Sequence, residues 1–386
     1  MIEMEEEKIY YVQLRKEYAQ DFLDIVKSIA TKDKILDPQN KVIHQGDFIL
    51  FPLNNFEKTK KLILDSIPDR FNINFVKQLR VVNLHFKFRS IEDALQGKIS
   101  QKYEDLIPKS YDIIGEIAII EFDDRVYKEN LTNIKKQIAK AIIHVNKNVK
   151  TVYEKTSKIK GIHRVRDLKL LEGKNQTLTL HKENSCLFKV DIKKTFFTPR
   201  LINERKRISE LKFKKGEIIV DLFSGVGPFS IQIAKRREAL IYAFDVNKTA
   251  IVLLKKNIQL NQLKGTIIPY NLDVKKLKRS HKEISQTLKN NSDRIIMNLP
   301  EKAVDFLDIA IFLLKNEGGI IHIYSFSDKP SPPKRAFLTI EQKLNELGWT
   351  VQEKIFARSV KSYSPETDLV VLDLLIKQNK LEIGLN

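Results

Sequence analysis

The chain has 386 residues, enough for two or three domains with a sizeable core. It is 42% hydrophobic and 30% charged, and no apolar run approaches the roughly 18–20 residues that cross a bilayer, which excludes a spanning helix. Lysine and arginine number 68 against 49 acids, a net charge of +19, which favours a polyanionic partner such as nucleic acid. Five arginines (Arg164, Arg166, Arg200, Arg205 and Arg207) gather in one stretch. The single cysteine, Cys186, excludes an internal disulfide and a cysteine-based zinc cluster. The acidic start, Met1 to Glu7, is expected to be neither a secretory signal nor a transit peptide, so a cytoplasmic protein is expected.

Residues 8–14 alternate like a strand, Tyr18 to Ile29 has helical spacing, and 41–43 with 48–53 read as a hairpin around Gly46-Asp47. This predicts a small α+β module with a boundary near residue 70. Residues 76–110 read as mostly helical, 106–120 as a turn and a buried strand, and 128–146 as an amphipathic helix with its lysines facing water. Residues 149–153, 168–171, 178–180 and 187–190 read as strands, giving a second α+β unit over 71–190. From 213 onward, strands and helices alternate regularly, and a last strand pair at 350–358 and 367–377 reads as an antiparallel edge hairpin. Such alternation predicts a Rossmann-like parallel sheet with helices on both faces, over 191–386.

The stretch Ile218 to Ser230 is a β-branched strand that ends in Asp221, then a turn with Gly225 and Gly227, then a helix start. Two glycines let a ligand approach the backbone, and the new helix offers unpaired N–H groups. The turn alone serves nicotinamide, flavin and S-adenosylmethionine sites alike, and a purely structural tight turn is the lesser alternative. Open α/β sheets bind ligands at the carboxyl ends of their strands. There the next strands place Asp245, then Asn271 and Asp273, then Asn298-Leu299-Pro300. An acid such as Asp245 can accept both ribose hydroxyls, and Asp273 can accept from an adenine amino group; both positions also fit ordinary solvated strand ends. Pro228-Phe229-Ser230 follows the two glycines, so the third glycine of the dinucleotide pattern is missing, which favours a cofactor without a pyrophosphate.

Asn298-Leu299-Pro300 offers an amide that can meet a base edge in a loop fixed by proline, although Asn-x-Pro is also a common turn. Glu204 lies among Arg200, Arg205 and Arg207 on a short helix before the sheet. It reads either as surface charge pairing or as a carboxylate held near cations that can act as a base. Arg164 and Arg166 read as one face of a strand edge, either solvated or contacting substrate, and His163 as a packing residue.

Six segments together resemble the archaeal and eukaryotic tRNA (guanine-37 N1)-methyltransferase family, class I enzymes that use S-adenosylmethionine. They are Pro108 to Ile117, Gly161 to Arg166, Thr177 to Asn184, Phe196 to Arg207, Asp221 to Ser230 and Asn298-Leu299-Pro300. The resemblance implies a class I methyltransferase Rossmann-like domain preceded by an α+β RNA-binding domain over 71–190 and, over 1–70, a module that touches the outer corner of tRNA. It implies Glu204 as general base, Arg164 as the arginine that steadies the guanine, and Asn298 with Pro300 beside the base. The expected cofactor contacts are Arg200, Asp221, Phe223, Gly225 and Gly227 before and at the turn, then Asp245, Asn247, Asp273, Asn298 and Pro300. Phe196 stands where the family often has Tyr, so only ring packing can remain there. No metal is expected, because the sulfonium of the donor already supplies an activated methyl.

The partner expected is tRNA, bound by a monomer with no membrane association. A basic insertion, 275–292, adds Lys275, Lys276, Lys278, Arg279 and Lys282 as an expected tRNA backbone contact. Two reactions on the same fold compete with simple methylation: transfer of the aminocarboxypropyl group onto the tricyclic base at the same position, and dual methylation that also acts on carbon 7 of that tricyclic wyosine intermediate. A non-catalytic RNA-binding module is a third alternative, against which the intact Asp221, Gly225, Gly227, Asp245 and Asn298 argue.

Overall fold

The computed structural model describes residues 7–29, 35–83, 85–129, 131–157, 161–279 and 283–379. The chain divides into two compact units, Met1–Arg89 and Ser90–Asn386. In the first, β1 (Lys8–Arg15), β2 (Ile43–Gln45), β3 (Phe48–Pro52) and β4 (Asn74–Leu79) form an antiparallel sheet in the order β2-β3-β1-β4. Helix Ala19–Ile29 lays Phe22 and Val26, one turn apart, into its core with Val12, Leu14 and Phe51. Helix Phe56–Ser66 was not expected: its lysines hide the apolar period, but Thr59 and Ile63 are buried one turn apart. The boundary expected near 70 is also corrected. Asn74 to Leu79 is not helical but pairs with β1, from Gln13 opposite Asn74 to Lys8 opposite Leu79, so the unit runs on to Arg89.

The second unit begins with a helix Ile91–Leu95 and a 3-10 turn Gln101–Leu106. Next come β5 (Asp112–Ile114), β6 (Ile117–Ile120), β7 (Thr151–Lys155) and β8 (Leu168–Gly173), in that spatial order. Residues 112–120 are thus two strands folded back at Gly115, whose φ of 57° suits glycine, rather than one. β6 and β7 are parallel, connected through helix Thr132–Val145, and a separate hairpin follows, β9 (Leu178–Glu183) with β10 (Cys186–Asp191).

The large sheet contains β11 (Ile218–Asp221), β12 (Leu240–Asp245), β13 (Thr266–Asn271), β14 (Arg294–Met297), β15 (Gly319–Asp328), β16 (Trp349–Ser362) and β17 (Thr367–Gln378). Its order is β13-β12-β11-β14-β15-β17-β16. β11 to β15 are mutually parallel, and β17 runs antiparallel between β15 and the edge strand β16. The Rossmann-like expectation holds, with helices such as Pro228–Arg236 and Lys248–Leu260 on one face and Leu307–Leu313 and Pro332–Glu346 on the other. Strand order reverses between β11 and β14, and open α/β sheets bind ligands at the carboxyl ends of the strands at such a point. The border expected at 190/191 is not a break in packing. Ile114, Tyr153, Phe188 and Val190 share one core with Phe229, Ile231 and Leu254 of the sheet's helical layer. No helix among the described residues is long and apolar enough to cross a membrane.

Candidate active site

Asp221 ends β11 almost fully buried, and its Oδ2 accepts from the Ser230 hydroxyl at 2.7 Å. Its Oδ1 and the Ser224 hydroxyl have no hydrogen-bond partner among the described residues. Burial pushes the Asp221 carboxyl up to about 7, against the donors Ser230 and the Phe223 N–H, and the nearby Asp245 charge adds to the rise. Asp245 ends β12 at the next strand. Its Oδ2 accepts from Gly225 N at 2.8 Å and its Oδ1 from Asn247 N at 2.7 Å, so each oxygen keeps a lone pair for a hydroxyl donor. Burial raises this carboxyl too, with the two backbone donors and His163 opposing.

The two glycines differ. At Gly225, φ is 54° and an added Cβ would meet only Phe196 O at 3.8 Å, so the turn faces open space. At Gly227, φ is 88° and a Cβ would lie 2.3 Å from Leu254 Cδ1, so that glycine serves the packing of two helices. Phe223 packs edge-on against Phe306, ring centroids 4.9 Å apart. Asn247 is not free to meet a ligand through its carbonyl: it caps helix Lys248–Leu260, accepting from Thr249 N and Ala250 N, and its amide donates to Lys194 O at 2.7 Å. Asp273 is half-buried and accepts from Lys275 N at 3.0 Å, which starts the 3-10 turn Val274–Arg279.

Asn298 follows β14, half-buried, and its amide makes no hydrogen bond to the described residues. Pro300 O accepts from Phe326 N at 3.1 Å, which ties this loop to β15. Arg164 lies against the same loop. Its Nη1 is 3.1 Å from Glu301 Oε2 and its guanidinium is 5.3 Å from the centre of the Phe196 ring. Residues 161–164 form a turn rather than the expected strand edge, with Arg164 in the left-handed region at φ 53°. His163 is exposed, not a packing residue.

Glu204 is only 1% exposed, on helix Ile202–Glu210. Its neighbours correct the expected trio of arginines. Arg205 is buried in an ion pair with Glu183 at 2.5 and 2.7 Å, and Arg200 pairs with Asp112 at 2.7 Å. Only Arg207 of the three reaches Glu204, donating to Oε2 at 3.0 Å, and the Tyr324 hydroxyl donates to the same oxygen at 3.3 Å. Oε1 is taken by Arg358 of β16. Arg207 is itself fixed by Asp373 at 2.5 Å. Asp373 contacts His322 Nδ1 at 2.7 Å, and His322 Nε2 lies 2.8 Å from Arg294 Nη1. Arginine can only donate, so Nε2 accepts and the neutral ring gives its Nδ1 proton to Asp373. Burial favours that neutral ring, and His322 is drawn below the usual histidine range. Although burial opposes it, the Asp373 carboxyl is held at about 2 by His322 and Arg207. Tyr324 also packs on Phe229 of the glycine turn, ring centroids 5.5 Å apart, and it follows Ile323, the residue paired with Met297 next to Asn298. The Glu204 cluster thus adjoins both the turn and the Asn298 loop. Sequence reasoning missed Tyr324, Arg358 and Glu301; Glu301 had a signal, since it directly follows Pro300.

Of the insertion's cations, Lys275, Lys276, Lys278 and Arg279 are exposed, Lys278 pairs with Asp308 at 3.1 Å, and Lys275 lies over the Phe306 ring at 4.8 Å. Lys282 lies outside the described residues.

Residues 179–352 match the TRM5/TYW2 methyltransferase domain, and residues 91–177 match the TYW2 N-terminal domain. The tRNA (guanine(37)-N(1))-methyltransferase Trm5b of Pyrococcus abyssi is 36% identical over 345 residues, covering 88% of this chain and 92% of that one. The tRNA(Phe) (4-demethylwyosine(37)-C(7)) aminocarboxypropyltransferase of Pyrococcus horikoshii is 30% identical over 286 residues, covering 74% and 96%. Among solved structures, the complex of aTrm5 and tRNALeu superposes with a TM-score of 0.63 at 33% identity, covering 95% of this chain and 99% of that one. Methanocaldococcus jannaschii Trm5 in complex with adenosine gives a TM-score of 0.58 at 31% identity, covering 96% and 99%. The chain belongs to the TRM5/TYW2 methyltransferase family.

Proposed function

We propose that this protein transfers a methyl group from S-adenosylmethionine to N1 of guanine 37 in tRNA. The reading is carried by the strand-end placement of a carboxylate suited to ribose, Asp245, and of Asn298, whose amide makes no hydrogen bond to the described residues, with the buried Glu204 linked to both neighbourhoods through Tyr324. The residues fit the cofactor. Asp221 keeps an unpartnered buried oxygen suited to an ammonium, Gly225 leaves open space at the turn, and Asp245 keeps lone pairs for ribose hydroxyls. S-adenosylmethionine, when bound, supplies a methyl group activated by its sulfonium.

This chain's residues supply the rest. Guanine N1 carries a proton at neutral pH and becomes a nucleophile as that proton leaves. Glu204 accepts it, Arg164 faces O6 and stabilises the developing negative charge, and Asn298 holds the base edge. Asn247 and Gly227 act by shaping the turn and its helices. Phe223 and Pro300 are assigned to apolar contacts with the cofactor, and Arg200 and Asp273 to polar ones. The N-terminal unit supports a tRNA-contacting role, since Tyr10 and Phe56 stack at 3.7 Å with Lys60 and Lys77 over the rings. The enzyme works as a monomer in the cytoplasm, where its tRNA substrate is found.

The aminocarboxypropyltransferase relative favours a second reading, transfer of the longer chain at the same position, but that match is less identical and covers less of this chain. Dual methylation at carbon 7 of the tricyclic intermediate is the third. Labelled donor incubated with unmodified transcripts tests the main reading. Methyl incorporation that needs guanine at position 37 is the expected result, and incorporation only into tRNA carrying the tricyclic base would overturn it.

A further inference from the structure

The two oxygens of Glu204 are held unequally. Oε2 is bound by Arg207 and Tyr324, both on packed elements, and Arg207 is anchored from its far side by Asp373. Among the described residues, Oε1 is bound by Arg358 alone. Arg358 has no other polar contact among the described residues; its guanidinium only lies 5.7 Å from the Phe356 ring, and its side chain is 45% exposed. It stands on β16, the edge strand, between two irregularities in the pairing with β17. Bulged edge strands are locally less constrained than paired interior ones. A carboxylate that is to take a proton needs a lone pair facing the substrate. Here the outward oxygen is covered by a cation that has little else to hold it.

The same face offers that cation a second anion. Arg358 is opposite Val371, and the bulge between Ser359 and Lys361 puts Lys361 opposite Leu369, so the two cations share a face of the sheet. Burial lowers the Lys361 ammonium, and Arg200, Lys155 and Arg166 nearby lower it further, while Asp112 opposes. Asp112 already pairs with Arg200 at 2.7 Å and lies 3.7 Å from Lys155. This cationic surplus next to Arg358 is chemistry for a phosphodiester.

We propose that Arg358 is a removable cap on Glu204: it covers Oε1 in the free enzyme and leaves it for an RNA backbone phosphate when the substrate docks. The inference rests on the reading of Glu204 as the base. Coupling uncovering to docking keeps the carboxylate occupied until RNA is present. Arg358 is then a positioning residue, and Glu204 and the phosphate compete for it.

The test is a double-mutant cycle on the full chain, with an unmodified tRNA transcript, no methyl donor, and binding measured across a salt series. Arg358→Ala is expected to make the dependence of log K on log salt shallower by about 0.7, the share of one phosphate contact, and Arg358→Lys to restore most of it. Glu204→Gln is expected to tighten binding about three- to tenfold, because the competing carboxylate is gone, and that gain should vanish in the Arg358→Ala background. An unchanged salt slope in Arg358→Ala would overturn the proposal, as would a Glu204→Gln gain that persists without Arg358. If Glu204→Gln does not fold, the salt slopes of the two Arg358 variants decide alone. The base reading fails on a different result, full single-turnover methyl transfer by Glu204→Gln.

Discussion

At the glycine turn, Asp221 and Asp245 are held by neutral donors, the Ser230 hydroxyl and the N–H groups of Gly225 and Asn247. On helix Ile202–Glu210, Glu204 is held by two guanidinium groups, and behind it Asp373 is held by a third contact to Arg207 and by His322. Burial raises the first pair of carboxyls. In the second region Arg207 and His322 overcome burial and hold Asp373 at about 2. The difference separates two jobs. Carboxylates met only by neutral donors retain appetite for a cation or hydroxyls, as cofactor binding requires. A carboxylate already matched by arginines is fixed in place and has to be uncovered before it can take a proton.

The largest effect that would break this comparison is at Glu204. Glu204→Gln keeps the hydrogen-bonding shape and removes the proposed base, so single-turnover methyl transfer should fall about 10²- to 10⁴-fold without loss of tRNA affinity. A full rate would remove Glu204 from the chemistry. Asp245→Ala comes next. It removes the proposed ribose acceptor and frees the Gly225 turn, so S-adenosylmethionine binding by calorimetry should weaken about 10- to 100-fold while tRNA binding stays the same; equal losses for both ligands would mean a collapsed domain instead.

Asp373→Ala removes a buried carboxylate from between the half-buried Arg207, which keeps only Glu204 as an ionic partner among the described residues, and the buried His322. Loss of one member of a buried ion pair costs about 3–5 kcal/mol, which should appear as a clear drop in denaturation midpoint. If stability is unchanged, the anchored side of the Glu204 cluster is not anchored as described.

A smaller effect follows from Asp221. Its raised carboxyl means the folded state keeps a proton that the unfolded chain has lost, so its contribution to stability is present below pH 4 and fades as pH rises through about 7. Asp221→Asn should therefore gain stability relative to the parent above pH 7 in the absence of cofactor. If the ionised form meets the cofactor's ammonium, S-adenosylmethionine affinity should fall by up to about tenfold per pH unit below about 7, and the Asn variant should show a weak but flat profile. Neutralising Lys275, Lys276, Lys278, Arg279 and Lys282 should have the smallest effect, weaker tRNA binding with a flatter salt dependence. Unchanged affinity would remove the insertion from the tRNA interface.

Much of the cofactor side was legible because its signals are local. An apolar strand, a terminal acid and a glycine turn are consecutive residues, and β11 and β12 end at the expected acids. The Glu204 side was legible only in part. Its helix and its i+3 partner Arg207 lie within one turn, but Arg358, Tyr324 and Asp373 arrive from strands more than a hundred residues away. No spacing rule connects such positions. Charge proximity in sequence misled instead, since Arg200 and Arg205 turn to Asp112 and Glu183. Arg164 was placed on a strand because its neighbours alternate, whereas its left-handed backbone ends that alternation. In the N-terminal unit, β4 was missed because an edge strand with half-exposed faces carries little hydrophobic period.

The reaction is defined by which group moves and to which atom. Incubation with S-adenosylmethionine and an unmodified tRNA transcript, followed by nucleoside analysis, measures this directly. 1-Methylguanosine at position 37 is the predicted product. A guanosine left unchanged there, with an aminocarboxypropyl adduct formed only when tRNA already carrying the tricyclic base is supplied, would contradict that assignment.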